Sequence, residues 1–246
     1  ILIFSILILS LSYFSIYGIK TDNFNNFINN KIKDYNSKLK LQIDEVYIKL
    51  NINEVAININ TKNANLIAEG NPIKISNIDV NLNLIKFLKR ESSIKNIKIK
   101  SSSNLIKDIA SFLNIINYDQ TRYMLYNQIQ KGILKFELDA KFDNLTQDVL
   151  SYSIIGSVKN AKLNIPGYEN FKDVNFDFQA QDRIIKISNL NLNFQKVDFS
   201  SKKLLIKQEK SGAYYFEGDF ENTKALINPN IIFKLLNIKQ DYLSDK

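Results

Sequence analysis

The chain has 246 residues and a formal net charge of +8, and it contains neither Cys nor His. The lack of Cys excludes disulfides, thiolate metal sites and a cysteine nucleophile, and the lack of His removes the usual general base and the commonest transition-metal ligand. We therefore predict that the protein is not an enzyme and that it has no catalytic residue, no metal site and no cofactor.

The positive charge is spread along the chain. In the basic stretch Lys95, Lys98 and Lys100, for example, the lysines are separated by one or two residues that include Ile97 and Ile99. This spacing is typical of the solvated face of a strand or helix. The charge pattern therefore predicts no nucleic-acid partner.

The first 17 residues, ILIFSILILSLSYFSIY, carry no charge. A helix that spans a bilayer needs about 20 apolar residues, with a lower limit near 17. Tyr13 and Tyr17 lie near the end of the run, where aromatic rings favour the membrane interface. A cleavable signal peptide would need a cleavage site of small residues, and none precedes Gly18. We predict an uncleaved transmembrane signal-anchor over residues 1–19 and a single-pass protein.

The segment after the anchor has a helical apolar period. Phe24, Phe27, Ile28, Ile32 and Tyr35 recur at spacings of three and four, with Asn and Lys between them. This pattern predicts an amphipathic, membrane-proximal helix over residues 20–38.

From Leu39 the apolar period changes to two, which predicts strands with one apolar and one polar face. The alternation changes phase at Ser76-Asn77 and continues to Ile99. A helical stripe from Leu105 to Ile116 then interrupts the strands, and strand patterns resume at Gly132. We predict a first β segment over 39–100, a helical insertion or linker over 101–131, and a second β segment over 132–246.

Two segments of the chain resemble each other. Residues 73–82 read IKISNIDVNL and residues 185–194 read IKISNLNLNF. In both, Ser-Asn marks a turn or bulge, and Asn then alternates with apolar residues. The similarity predicts a repeated strand unit in an extended architecture.

These patterns resemble the AsmA-like superfamily, which includes AsmA, TamB and YhdP. The resemblance lies in the anchor, the short helix and strand motifs such as Ile75-Ser76-Asn77-Ile78-Asp79-Val80, followed by a turn over 84–90 and a strand over 94–100. Residues 156–166, GSVKNAKLNIP, and residues 171–176, FKDVNF, add to it. Family members are usually longer, so the chain is expected to be an N-terminal fragment.

The resemblance implies a mainly β fold with a few helices, in which an extended, curved antiparallel sheet forms a hydrophobic groove after the transmembrane helix. It implies an inner-membrane protein with its soluble part in the periplasm of a Gram-negative bacterium. There it would carry phospholipid toward the outer membrane, with a further envelope protein as a partner. The alternating pattern supplies the candidate groove residues, which are Ile57, Ile75, Val80, Leu82, Val174, Phe176, Phe178, Leu190, Leu192 and Phe194.

Three alternatives stay open from the residues alone. The same apolar positions fit the closed core of a β-sandwich or barrel. The chain also fits a non-catalytic assembly factor for the outer membrane that binds partner proteins through exposed strand edges. An enzyme would have to use carboxylate pairs such as Asp139 and Asp143, or Asp177 and Asp182, and such pairs at strand ends are usually solvated charges.

Overall fold

In a computed structural model of the protein, strands make up most of the ordered structure, as the sequence predicts. The structure describes residues 2–21, 25, 29–30, 32–33, 36–68, 70–89, 91, 93–116, 127–164, 171–209 and 212–222. The helices are α1 (Leu2–Ile16), α2 (Leu84–Leu88) and α3 (Ile106–Ile116). The strands are β1 (Ile19–Lys20), β2 (Leu39–Asn51), β3 (Ala56–Ala68), β4 (Asn71–Asn83), β5 (Ile94–Ser101), β6 (Asn104–Leu105), β7 (Ile129–Phe142), β8 (Val149–Leu163), β9 (Phe171–Gln181), β10 (Ile184–Phe194), β11 (Val197–Gln208) and β12 (Tyr214–Gly218).

The strands form one long, open antiparallel sheet. They are hydrogen-bonded in chain order from β1 to β12, except that β5 pairs with β7 and the short β6 pairs with β7 off this path. Two compact units divide the chain: unit 1 comprises residues 1–104 and 135–155, and unit 2 comprises residues 105–134 and 156–246. The long strands β7 and β8 contribute to both units. The predicted division into β segments over 39–100 and 132–246 stays a prediction.

The N-terminal helix is shorter than the predicted anchor. α1 ends at Ile16, and Gly18 adopts a φ of +70°. Ile19 in β1 then pairs with Ile48 in β2. The chain therefore joins the sheet within the region that the sequence assigned to a transmembrane span over residues 1–19. In the part of the chain that the structure describes, no helix is both long and apolar enough to cross a membrane.

The predicted membrane-proximal helix is described only in part. Residues 25, 29, 30, 32 and 33 are helical, whereas Phe24, Phe27, Ile28 and Tyr35 lie outside the described residues. Asn25 Nδ2 donates to the carbonyl of Ile43 at 3.2 Å, and Asn29 Oδ1 accepts from the amide of Leu41 at 2.9 Å. Side chains of this segment thus satisfy backbone groups on the outer edge of β2, which would otherwise be open to pairing.

The Ser-Asn repeat marks bulges rather than turns. β4 runs straight through Ser76-Asn77, and its register with β5 shifts between Ile75 and Asn77. β10 runs through Ser188-Asn189 in the same way, with a register shift against β9 between Ser188 and Asn191. A bulge adds a residue to one strand and so changes which residues share a face. This explains why the apolar period changes phase at both sites.

Several other predictions fall on residues that the structure does not describe. These are part of the predicted linker, residues 117–126, and the end of the second predicted β segment, residues 223–246. The helix predicted from Leu105 is present as α3, and strand β7 begins at Ile129, three residues before the predicted start at Gly132.

Candidate functional site

Unit 1 presents an apolar face that is five strands wide. Ile59 lies opposite Ile48 on one side and Val80 on the other. Val80 in turn lies opposite Ile97, and Ile97 lies opposite Ala140. Directly paired residues share a face of the sheet. The register therefore defines the apolar face of unit 1 as Val46, Ile48, Leu50, Ile57, Ile59, Ile78, Val80, Leu82, Ile94, Ile97, Ile99, Leu138 and Ala140.

The middle of this face is not a closed core. Ile59, Val80, Ile97 and Leu138 stay partly exposed although their strands are paired on both sides. Other side chains on this face are buried, and Val46, for example, has an exposed fraction of 0%. A sandwich core packs at the density of an organic crystal and would bury central side chains of this size. The central side chains therefore offer apolar surface to a ligand or partner.

The opposite face of unit 1 is polar, and its groups pair with one another. Lys98 Nζ lies 3.3 Å from Asp139 Oδ2, and Lys100 Nζ lies 2.6 Å from Glu137 Oε1. Asn60 Nδ2 donates to Asn77 Oδ1 at 2.8 Å. A cleft of about 500 Å³ lies over these charges. In this cleft the charges of Lys98 and Lys100 are paired across strands, while Asp139 Oδ1 is buried without a hydrogen-bond partner.

Glu45, a charged residue at the edge of this polar face, is also hydrogen-bonded to neighbouring side chains. Glu45 accepts from Lys20 Nζ at 2.6 Å and from the Tyr47 hydroxyl at 2.7 Å. These hydrogen bonds lower the pKa of Glu45, and its carboxylate raises the pKa of Tyr47. The amides of Thr146 and Leu145 likewise lower the pKa of Asp143. Each shift has a structural cause in a turn or strand pair.

Unit 2 carries its own apolar cluster on β8, β9 and β10. Val158, Ala161, Val174 and Leu190 are buried together. Partly buried side chains pack against them, and these include Phe176, Phe178 and Leu192. A neighbouring cluster contains Phe194, Val197 and Phe199, and the ring of Phe194 stacks on Phe171 with centroids 4.8 Å apart.

The structure divides the ten candidate groove residues into two equal groups. Buried residues support the sheet and present little surface, and these are Ile57, Ile75, Val174, Leu190 and Phe194. Partly exposed residues retain surface for a ligand, and these are Val80, Leu82, Phe176, Phe178 and Leu192. Val80 and Leu82 lie together on β4 in unit 1, and the other three lie on β9 and β10 in unit 2. Their role in lipid binding stays a prediction.

Charged groups converge at one place in unit 2. Lys131, Lys162 and Lys172, from three strands, line a cleft of about 390 Å³ together with Gln130 and Asp173. Lysine ammonium groups attract anions such as phosphate. No three acidic side chains in the described ranges lie close enough to hold a metal ion.

Sequence reasoning missed one feature, an apolar surface at the end of unit 1 that is formed by turns, helix α2 and the start of β8. The turn over residues 52–55, helix α2 and the turn over residues 143–148 lie side by side there. The amide of Leu84 donates to the carbonyl of Val55 at 3.0 Å, and the amide of Ile94 donates to Gln147 Oε1 at 2.7 Å. We define the apolar end surface as the exposed side chains Ile52, Val55, Ile85, Phe87, Leu88, Leu145, Val149 and Leu150.

Comparison of the chain with protein-family models, with curated proteins and with solved structures found no match.

Proposed function

We propose that this protein binds the acyl chains of phospholipids along the apolar faces of its sheet and carries them between two membranes. The proposal places it in the inner membrane of a Gram-negative envelope, with the sheet in the periplasm. The resemblance of its strand motifs to the AsmA-like superfamily supports this reading.

The observation that carries the proposal is the partly exposed centre of the apolar face of unit 1. Ile59, Val80 and Ile97 occupy adjacent inner strands and yet keep exposed surface. An acyl chain gains about 0.8 kcal/mol for each CH₂ that leaves water. A row of branched aliphatic side chains across several strands supplies the continuous dry contact that such a chain needs. A polar ligand would gain nothing from it.

Attachment to the membrane is assigned to α1. This helix has no acidic residue in its first turn and no basic residue in its last turn. Among its described side chains, Leu9 is 68% exposed and Ile16 is 62% exposed. Leaving several large apolar side chains in water is costly, and a lipid phase removes that cost.

The test is lipid extraction and mass spectrometry of the full chain after mild detergent purification from bacterial membranes. We expect phospholipid to co-purify with the chain. We expect Phe176→Asp to reduce the amount of bound phospholipid by about tenfold or more, because burying a carboxylate against an acyl chain is unfavourable. Gln179→Asp is the matched control, since Gln179 lies on the same strand and is exposed. Equal lipid content in both variants would contradict the proposal.

Phe176 also packs against the buried cluster of unit 2, so loss of lipid in Phe176→Asp needs a second measurement. A phospholipid with a photoreactive diazirine on its acyl chain supplies one, because it needs no substitution. We expect cross-links on peptides that contain Val80, Leu82 or Leu192. Cross-links confined to α1 would count against binding along the sheet.

A second candidate is an assembly factor that acts through protein contacts. On β12, Tyr214, Tyr215 and Phe216 are all exposed, with Phe216 63% exposed. Such a strand at the end of the sheet order can pair with a strand of another protein. A chain that purifies without lipid but retains a stoichiometric envelope protein, lost in Phe216→Asp, would favour this function.

A further inference from the structure

The apolar end surface of unit 1 lies outside the apolar face that we propose to bind acyl chains. Its members lie in the turns after β2 and β7, in the short helix α2 and at the start of β8. Their exposure is high: 84% for Leu145, 72% for Leu88 and 66% for Leu150. Isolated exposed apolar residues are ordinary, but a group of eight at one end of unit 1 marks an interaction site.

These turns are fixed to one another, so the surface is a unit and not a set of separate loops. Lys86 Nζ donates to the carbonyl of Asn144, and Lys95 Nζ donates to the carbonyl of Glu54 at 2.7 Å. Asp143 Oδ1 accepts from the amides of Leu145 and Thr146 at 2.7 and 2.9 Å. These hydrogen bonds fix the turns relative to one another, and the exposed apolar side chains therefore form one surface.

The position of α1 identifies what this surface meets. β1 runs antiparallel to β2, with Ile19 opposite Ile48 and Lys20 opposite Tyr47. The chain before β1 therefore continues toward Asn51 and the turn over residues 52–55. α1, in which Leu9 and Ile16 are exposed, therefore precedes β1 at the end of unit 1 that carries the apolar end surface.

The charges around this surface indicate which part of a membrane it contacts. Lys86, Lys89 and Lys95 lie near Glu54 and Glu91, so both signs are present. A mixed rim does not select anionic lipid, whereas large apolar side chains enter the boundary between headgroups and acyl chains. The geometry points to a docking surface for the bilayer interface, which seats unit 1 upright on the membrane that holds α1.

This inference depends on α1 meeting a membrane but not on acyl-chain binding along the sheet. The chain has no Cys, so a single introduced thiol can be labelled without background. We would prepare Leu88→Cys and Leu145→Cys in the full chain, attach an environment-sensitive fluorophore, and add phosphatidylcholine vesicles. Leu105→Cys is the matched control: Leu105 is 55% exposed and follows Asn104, whose side chain binds Lys74 at the far end of β4.

We expect a blue shift at positions 88 and 145 on vesicle addition, and quenching by lipids with a nitroxide near the top of the acyl chain. We expect neither effect at position 105. Labels at 88 and 145 that stay in water while the protein co-floats with vesicles would overturn docking. So would a blue shift that precedes vesicle addition and grows with protein concentration, since this would assign the surface to a second copy of the chain. Lipid extraction of the same variants reports separately on acyl-chain binding.

Discussion

Two asparagines adopt a left-handed backbone conformation in the middle of long strands. Asn63 in β3 has a φ of +51°, and Asn189 in β10 has a φ of +54°. Near Asn63 the buried positions change phase, from Thr61 to Ala64. Asn tolerates this region better than other residues with a Cβ, because its short side chain bonds locally. The Asn-rich composition thus has a structural use at these two positions.

A substitution at Asn63 tests this use. Val in the left-handed region should lower the free energy of unfolding by about 1–2 kcal/mol, whereas Gly should be close to neutral. Urea denaturation of Asn63→Val and Asn63→Gly measures both. Asn63 is exposed, so lost packing does not confound the comparison. Equal stability of the two variants would show that the backbone is not constrained there.

The interaction of Lys20 with Glu45 predicts a pH dependence. The pKa of Glu45 is lowered in the folded protein, chiefly by the hydrogen bond from Lys20. Its stabilising contribution is therefore complete above the pKa of the unfolded chain, roughly 4.3, and is lost as the pH falls through the lower folded value. Urea unfolding of the wild type and Glu45→Gln should differ at pH 7 and converge in strong acid. A difference that is constant with pH would exclude the ionised carboxylate as its source.

At the scale of paired elements, Gly132 lets β7 and β8 approach closely within unit 2. A Cβ on Gly132 would lie 2.9 Å from Ala161 Cα and 2.6 Å from Ile106 Cδ1. We expect Gly132→Ala to lower the free energy of unfolding by roughly 1–3 kcal/mol through overpacking and strain. Gly70→Ala is the control, because Gly70 also has a positive φ but nothing within 4 Å of an added Cβ. An equal cost for both variants would assign the whole effect to the backbone.

The alternation of apolar residues was enough to predict most strands. β2 to β5 and β7 to β11 follow runs with a period of two, because each strand has one apolar and one polar face. β1 was missed, since two residues carry no period, and Ile19 reads as part of the preceding apolar run. The bulge at Ser76-Asn77 was predicted as a change of phase, but the sequence did not distinguish a bulge from a turn.

The candidate site was predictable only as a choice of face. Periodicity predicts that Ile57 and Val80 share a face, and in the register Ile57 pairs with Leu82, two residues after Val80 on β4. Periodicity does not predict that Ile57 is buried while Val80 keeps exposed surface. The burial of each side chain depends on contacts with residues that are distant in sequence. The apolar end surface was missed for a related reason. Its members, such as Leu88 in the short helix α2 and Leu145 in a turn, lie in segments too short to show a period and come together only through the topology.

For the molecule as a whole, the two kinds of apolar surface correspond to the two tasks that we propose. The faces of units 1 and 2 run along the strands and suit a ligand with long hydrocarbon chains. The apolar end surface and α1 lie at one end of unit 1 and suit a membrane. On the polar face of unit 1, Lys98 and Lys100 pair with Asp139 and Glu137, and charges of both signs lie around the apolar end surface. Both tasks should therefore depend on apolar burial more than on charge.

This dependence predicts how lipid retention responds to salt. Electrostatic contacts are screened over about 30 Å at 0.01 M salt and about 3 Å at 1 M, whereas apolar burial persists. We expect the full chain to retain phosphatidylcholine and phosphatidylglycerol equally, with the same lipid content by mass spectrometry after washing at either salt concentration. The lysine cleft of unit 2 offers the contrary outcome. In that outcome the protein prefers phosphatidylglycerol, and the preference is lost at 1 M salt and in Lys162→Gln but kept in Lys203→Gln on another strand. This result would mean that a headgroup site at Lys131, Lys162 and Lys172 selects the lipid.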